Sequence, residues 1–218
     1  MKKDFVEKLH MSTSRNYLER MINEKVECMK IARRFDKEFW DGERKYGYGG
    51  HKYIPGRWSN VADQIIKNYN LKEGSKILDV GCGKGYLLKE LKSKINGLKV
   101  YGFDISKYAI DNSHKEVKKD LYVHKAQSKF LYEDGFFDLV ISLGTLHNLE
   151  LFDLKIAIKE IERVGKKKYI MVEAYRNEKE LFNLQCWALT CKSFFSEDEW
   201  TWIYKEFGYT GDHEFIYF

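Results

Sequence analysis

The chain contains one proline, Pro55, so no proline-rich linker divides its 218 residues. Its four cysteines, Cys28, Cys82, Cys186 and Cys191, form no C-x-x-C pair and keep no regular spacing with histidine. That argues against a zinc module or a disulfide framework, and no metal is expected. Reduced thiols are the default. No apolar run approaches the roughly 20 residues of a membrane span. The opening residues, Met1-Lys-Lys-Asp-Phe5, lead into charged positions rather than an apolar block, so a cytoplasmic protein without a signal peptide is expected. Neither sign of charge dominates: 38 Lys+Arg face 33 Asp+Glu, a net charge of +5. The lysines are scattered, which reads as solvated helix faces rather than a nucleic-acid footprint.

Apolar residues make up 44% and charged residues 33%, a balance suited to one packed α/β domain with an added segment. Lys76-Ile-Leu-Asp-Val-Gly-Cys-Gly-Lys-Gly-Tyr86 organises the chain. An apolar run carrying Asp79 breaks into Gly81, Gly83 and Gly85, and a helical pattern begins at Tyr86. This predicts a buried strand, a tight turn and a helix N-terminus. Glycines let a ligand lie against bare backbone, and the helix end supplies free N–H groups. A nucleotide-like cofactor suits such a place. The spacing G-x-G-x-G is not the dinucleotide G-x-G-x-x-G, and no G-K-[ST] closes a P-loop. A nicotinamide-dependent oxidoreductase is therefore disfavoured.

Strands and helices alternate beyond it: strands over 98–104, 121–126, 137–142 and 168–173, with amphipathic helices at 86–95 and 153–164. The alternation predicts an α/β, Rossmann-like, doubly wound and mostly parallel sheet. Ligands of such sheets bind at the C-terminal strand ends. Asp104 falls there, 25 residues after Asp79, where a carboxylate can accept ribose hydroxyls; Ser106 is a candidate cap for the next helix. Gln127, Ser142 to His147, and Glu173 fall on the same edge. Ser196-Glu-Asp-Glu199 predicts a capping box opening a helix to Phe207, before a last strand over 213–218.

The first 58 residues read as a separate helical segment and cap loop, with residues 59–218 as the main domain. Tyr17, Leu18, Met21, Ile22, Val26, Met29, Ile31 and Phe35 recur at helical spacing, so an inward face is expected there, with Ser14 as its cap. Phe39 to Trp58 has no period and is dense in glycine and aromatics. It reads either as a cover over the cofactor site or as an irregular packed connector.

Leu-Asp-Val-Gly-Cys-Gly-Lys-Gly, Asp104 and Phe137-Asp-Leu-Val together resemble class I S-adenosylmethionine (SAM)-dependent methyltransferases over residues 75–173. The resemblance implies SAM as cofactor and S-adenosylhomocysteine as product. It also implies ribose on Asp104 and adenine near Gln127 and Ser128. The expected cofactor set is Asp79, Gly81, Cys82, Gly83, Gly85, Asp104, Ile105, Gln127, Ser128 and Ser142. More loosely, Trp40-Asp-Gly and Tyr46-Gly-Tyr-Gly-Gly resemble small methyltransferases found with surface-polysaccharide pathways. No N-P-P-Y or D-P-P-Y follows the fourth strand, which speaks against DNA and glutamine amino-methyltransferases. The family usually ends in an antiparallel strand pair. This chain offers a single last strand, unless 189–195 supplies the other.

Methyl transfer needs an acceptor held in line and a proton removed or absorbed. His147, expected at the site's mouth, is the first candidate base, with a structural histidine as the alternative reading; His51 is second. Glu173 orients substrate or takes a proton, or it caps a turn. Tyr48, Tyr53, Arg57, Trp58, Tyr175 and Arg176 are candidate substrate contacts, the last two for an anionic group. A helix over 181–191 is expected to help roof the site. The expected reaction is O- or N-methylation of a small molecule. The alternatives are an RNA or protein methyltransferase, and a SAM-binding protein without catalysis.

Overall fold

The computed structural model describes residues 1–48 and 52–218. Four short helices come first: α1 (Glu7–Met11), α2 (Tyr17–Ile22), α3 (Lys25–Ala32) and α4 (Lys37–Asp41). After α5 (Ser59–Tyr69), strand and helix alternate: β1 (Lys76–Val80), α6 (Tyr86–Lys94), β2 (Lys99–Asp104), α7 (Lys107–Asp111), β3 (Leu121–Val123), β4 (Phe137–Leu143), α8 (Leu151–Val164) and β5 (Gly165–Glu173). The chain closes with α9 (Glu178–Trp187), α10 (Glu197–Glu206) and β6 (Asp212–Ile216). The six strands lie in the order β3-β2-β1-β4-β5-β6, and every pairing is parallel.

Both faces of this sheet are covered, which is why its central strands are apolar nearly throughout. Leu78, Val80, Val140, Ile170 and Val172 face α8 and α10, packing with Ile158, Ile161 and the fully buried Trp200. The alternate residues Ile77, Leu139, Ile141, Tyr169 and Met171 pack with α5 and α6 through Ile65, Leu88 and Leu91. The expected doubly wound sheet is therefore present. The order reverses between β1 and β4, the switch point at which such sheets bind ligands.

The end of the chain differs from the expected pattern. Residues 189–195 form no strand, and β6 pairs directly and in parallel with β5 through Tyr169↔Asp212 to Glu173↔Ile216. The outer edge of β6 is taken up by the N-terminus: Lys2 bridges His213 in parallel, Lys3 N–H donates to the His213 carbonyl at 2.8 Å, and His213 N–H donates to that of Met1 at 3.1 Å. A buried carboxylate fastens this closure. Glu214 accepts the N–H groups of Phe5, Val6 and Glu7 at 2.8, 2.8 and 3.0 Å, and the Tyr169 hydroxyl. Val6, the N-cap of α1, provides no side-chain cap; Glu214 satisfies the free N–H groups of that helix from across the sheet.

The single amphipathic face read across residues 15–35 is not formed. Asn16, not Ser14, caps α2, accepting from Glu19 N–H, and the chain breaks again at Glu24 (φ 44°) and Phe35 (φ 51°). Each break rotates the helix that follows, so Leu18, Ile22 and Val26 are 62, 81 and 63% exposed and Met11 is exposed. Arg20, Cys28 and Ala32 turn inward instead. Likewise α9 stops at Trp187, so Ala188 and Cys191 lie in an extended stretch rather than on its face. No helix among the described residues is long and apolar enough to cross a membrane.

Replacing Glu214 by alanine leaves three N–H groups and a tyrosine hydroxyl unpaired inside the fold. A loss of about 3 kcal/mol is expected, which lowers the thermal midpoint by roughly 6–12 °C. A midpoint unchanged in differential scanning calorimetry contradicts this role.

Candidate active site

A cavity of about 680 Å³ opens at the switch point, within the roughly 300–1,000 Å³ usual for small-molecule sites. Its floor is the turn after β1. Gly81 and Cys82 donate N–H to the Phe103 carbonyl at 2.9 and 3.0 Å, folding the loop back over the end of β2. Gly81, Gly83 and Gly85 have φ of +81°, +53° and +74°, the left-handed region where a side chain is strained. A Cβ on Gly81 would meet the Thr145 side chain at 2.1 Å, and one on Gly83 the Trp40 ring at 2.8 Å. The third glycine serves packing: a Cβ on Gly85 would strike Leu121 and Val117.

Asp104 ends β2 and ties this loop to the next helix. One of its oxygens accepts Gly83 N–H at 2.9 Å and the other accepts Ser106 N–H at 2.8 Å. Ser106 in turn caps α7, accepting from Ala109 N–H as expected. Burial raises the Asp104 carboxyl, and the N–H groups of Ser106, Gly83 and Ile105 oppose the rise. Asp79, buried beside it, is pushed up to about 8 by burial and then by the charge of Asp104. Two carboxyl groups thus share the floor, with no ion pair to either among the described residues. Ile105, 45% exposed, gives the cavity an apolar wall. Gln127 stands opposite, its amide donating to Asp153 at 3.4 Å.

The N-terminal segment forms the roof. Trp40 lies over Gly83 and donates its indole N–H to Ser106 Oγ at 2.8 Å. Asp41 accepts Lys84 Nζ on both oxygens, at 2.7 and 2.8 Å, and the Tyr108 hydroxyl at 2.8 Å. Residues 37–41 are thus pinned to the glycine loop and to α7. Tyr48 and Trp58 complete the wall, with Leu143 and Thr190. The Tyr48 hydroxyl takes the N–H groups of Leu189 and Thr190 at 2.9 and 3.1 Å, fixing the stretch after α9.

Of the residues singled out above, Asp79, Gly81, Cys82, Gly83, Asp104, Ile105, Gln127, Tyr48 and Trp58 meet at this cavity. The others stand elsewhere. Ser142 is inside the sheet, its hydroxyl donating to the Val80 carbonyl at 2.9 Å. Ser128 lies off the lining, in the turn closed on Lys125. Tyr53 bonds Glu90 and packs on Tyr86 and His114. Arg176 forks onto Glu180 and stacks on Tyr217, and Tyr175 reaches Glu199, all outside the cavity. Arg57 lines a second cavity, behind Tyr48 and Trp58. His51 lies outside the described residues.

His147 is not at the mouth. It is 3% exposed, behind the cavity wall, with Nδ1 accepting Glu173 N–H at 3.3 Å. Its Nε2 stands 3.4 Å from Glu173 Oε2, too poorly aligned for a hydrogen bond, so that oxygen has no partner among the described residues. Burial pushes His147 down to about 3 and Glu173 up to about 7, the latter opposed by Arg15 and Lys25. His147 is thus neutral, and with Glu173 it forms an enclosed brace between the end of β5 and the turn after β4. Trp40, Lys84, Thr145 and Asp153 had no assigned part in the sequence reading. All four lay within segments recognised for other reasons, Lys84 within the glycine-loop motif itself.

The methyltransferase-domain family matches residues 71–208, more than half of the chain. The chain belongs to that family. Among curated relatives, the mouse (Mus musculus) protein named arginine-hydroxylase NDUFAF5, mitochondrial, is 29% identical over 129 residues, 59% of this chain and 36% of its own length. The ribosomal protein L11 methyltransferase of Thermotoga maritima is 39% identical over 87 residues, 38% of this chain and 32% of its own. The chain spans about a third of these relatives. Solved structures share the fold: YcgJ of Bacillus subtilis (TM-score 0.55, 17% identity, 67% of this chain and 66% of that one) and a SAM-dependent methyltransferase of Aquifex aeolicus (TM-score 0.51, 24% identity, 71% and 83%). The methyltransferase fold and the glycine-loop resemblance are thereby supported together; the polysaccharide connection is not part of what these relatives share.

The raised Asp79 carboxyl makes a signed prediction. Its folded value of about 8 lies above the ordinary 3.8, so the folded state keeps a proton that the unfolded chain releases. Its contribution to stability is present at low pH and lost as pH rises from about 4 to about 8. In the ligand-free protein, Asp79→Asn should raise the urea midpoint relative to wild type, and by more at pH 8.5 than at pH 5.5. An equal difference at the two pH values contradicts the assignment.

Proposed function

We propose that this chain is a SAM-dependent methyltransferase acting on an oxygen or nitrogen of a small molecule in the cytoplasm. The observation that carries the reading is the pair Asp79 and Asp104 on the floor of a glycine-loop cavity at the switch point. Such a floor suits a ligand bearing both positive charge and hydroxyl donors. When bound, SAM supplies an electrophilic methyl group on its sulfonium. The chain holds it. Asp104 would accept the ribose hydroxyls with the lone pairs left by Gly83 and Ser106, and Asp79 would serve the amino-acid end. Ile105 offers a flat apolar surface to the base, beside Gln127.

The rest of the work is positioning. Trp40, Tyr48 and Trp58 exclude water from the cavity and confine the acceptor against Leu143 and Thr190. His147 supplies no base: it is enclosed, neutral, and turned to Glu173. An acceptor that is already nucleophilic, an amine or an acidic hydroxyl, needs no base from His147. The L11 methyltransferase is named for a protein substrate, but the roofed cavity here favours a small molecule. A sugar or sugar-nucleotide-like metabolite is the class we favour, from the aromatic-glycine segment that forms the roof.

Calorimetric titration should show S-adenosylhomocysteine binding to the wild-type protein. Asp104→Ala should weaken it tenfold or more, the scale of a lost charge-assisted hydrogen bond. Absence of any binding by the folded wild type overturns the reading.

A further inference from the structure

A second cavity of about 910 Å³ lies behind Tyr48 and Trp58, which line both it and the cofactor cavity. Met171 of β5 and Ile216 of β6 close it from below, near the C-terminal strand ends. Four guanidinium groups border it: Arg15, Arg20, Arg44 and Arg57. Among the described residues none of the four has a carboxylate within ion-pair distance. Arg163 and Arg176, by contrast, each fork onto glutamates.

Arg15, Arg20 and Arg44 are held by neutral groups. Arg20, only 9% exposed, donates to the carbonyls of Trp187, Arg44 and Gly47 at 3.2, 2.7 and 2.7 Å and stacks 4.6 Å from the Trp187 ring. Arg15 donates to the carbonyls of Thr13 and His10 and to His10 Nδ1 at 3.0 Å, and its buried Nε–H has no partner. Because His10 Nδ1 accepts from Arg15, its proton sits on Nε2 and faces the Tyr217 carbonyl at 2.7 Å. The imidazole is thus neutral and relieves none of the charge; burial pushes it down to about 4. Arg44 reaches the Ser14 carbonyl at 3.3 Å. Glu19 is the single carboxylate among the described lining residues, and Lys45, paired with Glu43, adds a further cation.

Four arginines and Lys45 thus face one lining carboxylate, Glu19, among the described residues, an excess of positive charge that an anion would balance. Guanidinium forks match the planar oxygens of phosphate and carboxylate. We propose that this cavity binds the methyl acceptor by an anionic group, a phosphate, diphosphate or carboxylate, through Arg15, Arg44 and Arg57. Arg20 is a positioning residue, committed to the three carbonyls that shape the wall. The acceptor's other end then reaches past Tyr48 and Trp58, which line both cavities, toward Leu143 and Thr190 in the cofactor cavity. The word acceptor rests on the methyltransferase reading; the anion site itself does not.

Inorganic pyrophosphate is the probe. Calorimetry at low salt should show one saturable site, weakened tenfold or more by Arg57→Gln and also by Arg44→Gln. Neither substitution removes an ion pair or a carbonyl staple of the wall other than that to Ser14, so both variants should fold. S-adenosylhomocysteine affinity should stay within twofold in Arg57→Gln. No saturable pyrophosphate binding by folded wild type, or binding that both variants leave unchanged, overturns the proposal. Loss with Arg34→Gln, at the cofactor cavity, but not with Arg57→Gln overturns it too. A protein that binds S-adenosylhomocysteine but not pyrophosphate loses the anion site alone. One that binds pyrophosphate but not S-adenosylhomocysteine keeps the site and loses the methyltransferase reading.

Discussion

The carboxylate of Asp104 is the joint on which the site depends. It takes one N–H from the glycine loop and one from the turn that opens α7, so β1, β2 and α7 meet at a single buried charge. Each bond is charge-assisted and sheltered from water, and the loss of either leaves an N–H or a charge unpaired in the interior. The joint also extends outward. Ser106, held by Asp104, receives the Trp40 indole, and Trp40 covers Gly83. The roof of the cavity is therefore attached to its floor through the residue that closes the loop.

The N-terminal segment is built into this arrangement at three places. Its first residues extend the sheet at β6 under the grip of Glu214. Residues 37–41 clamp the glycine loop through Asp41 and Lys84. Between them, Arg20 draws together carbonyls of Arg44, Gly47 and Trp187 and walls off the second cavity. The glycine-loop cavity and the second cavity thus draw on different parts of the chain and meet at Tyr48 and Trp58.

Much of the floor was legible in the sequence. Glycines at left-handed positions, a carboxylate at the end of the second strand, and caps such as Ser106 and the Ser196–Glu199 box all act within a few residues of themselves, and local pattern reports them. The sheet followed from alternation of apolar runs and helical periods. The roof was not legible. Its helices are short and broken at Glu24 and Phe35, so periodicity pointed Leu18, Ile22 and Val26 inward when they face water. The parallel pairing of β6 with β5 depends on the N-terminus arriving at its other edge. Nothing in the local pattern singled out Arg20, because its partner at Trp187 is 167 residues away. His147 lay near the correct strand end, but which way a side chain turns from a tight turn depends on Glu173, 26 residues on.

The central claim is that Asp79, the glycine loop and Asp104 hold the cofactor beneath a roof made by the N-terminal segment. Hydrogen exchange read by mass spectrometry, with and without S-adenosylhomocysteine, tests it most directly. The account predicts slowed exchange in peptides covering 79–86, 103–109 and 33–41 together, with the surface of α10 unchanged. Binding that leaves 79–86 and 103–109 unprotected, or that protects them without 33–41, contradicts it.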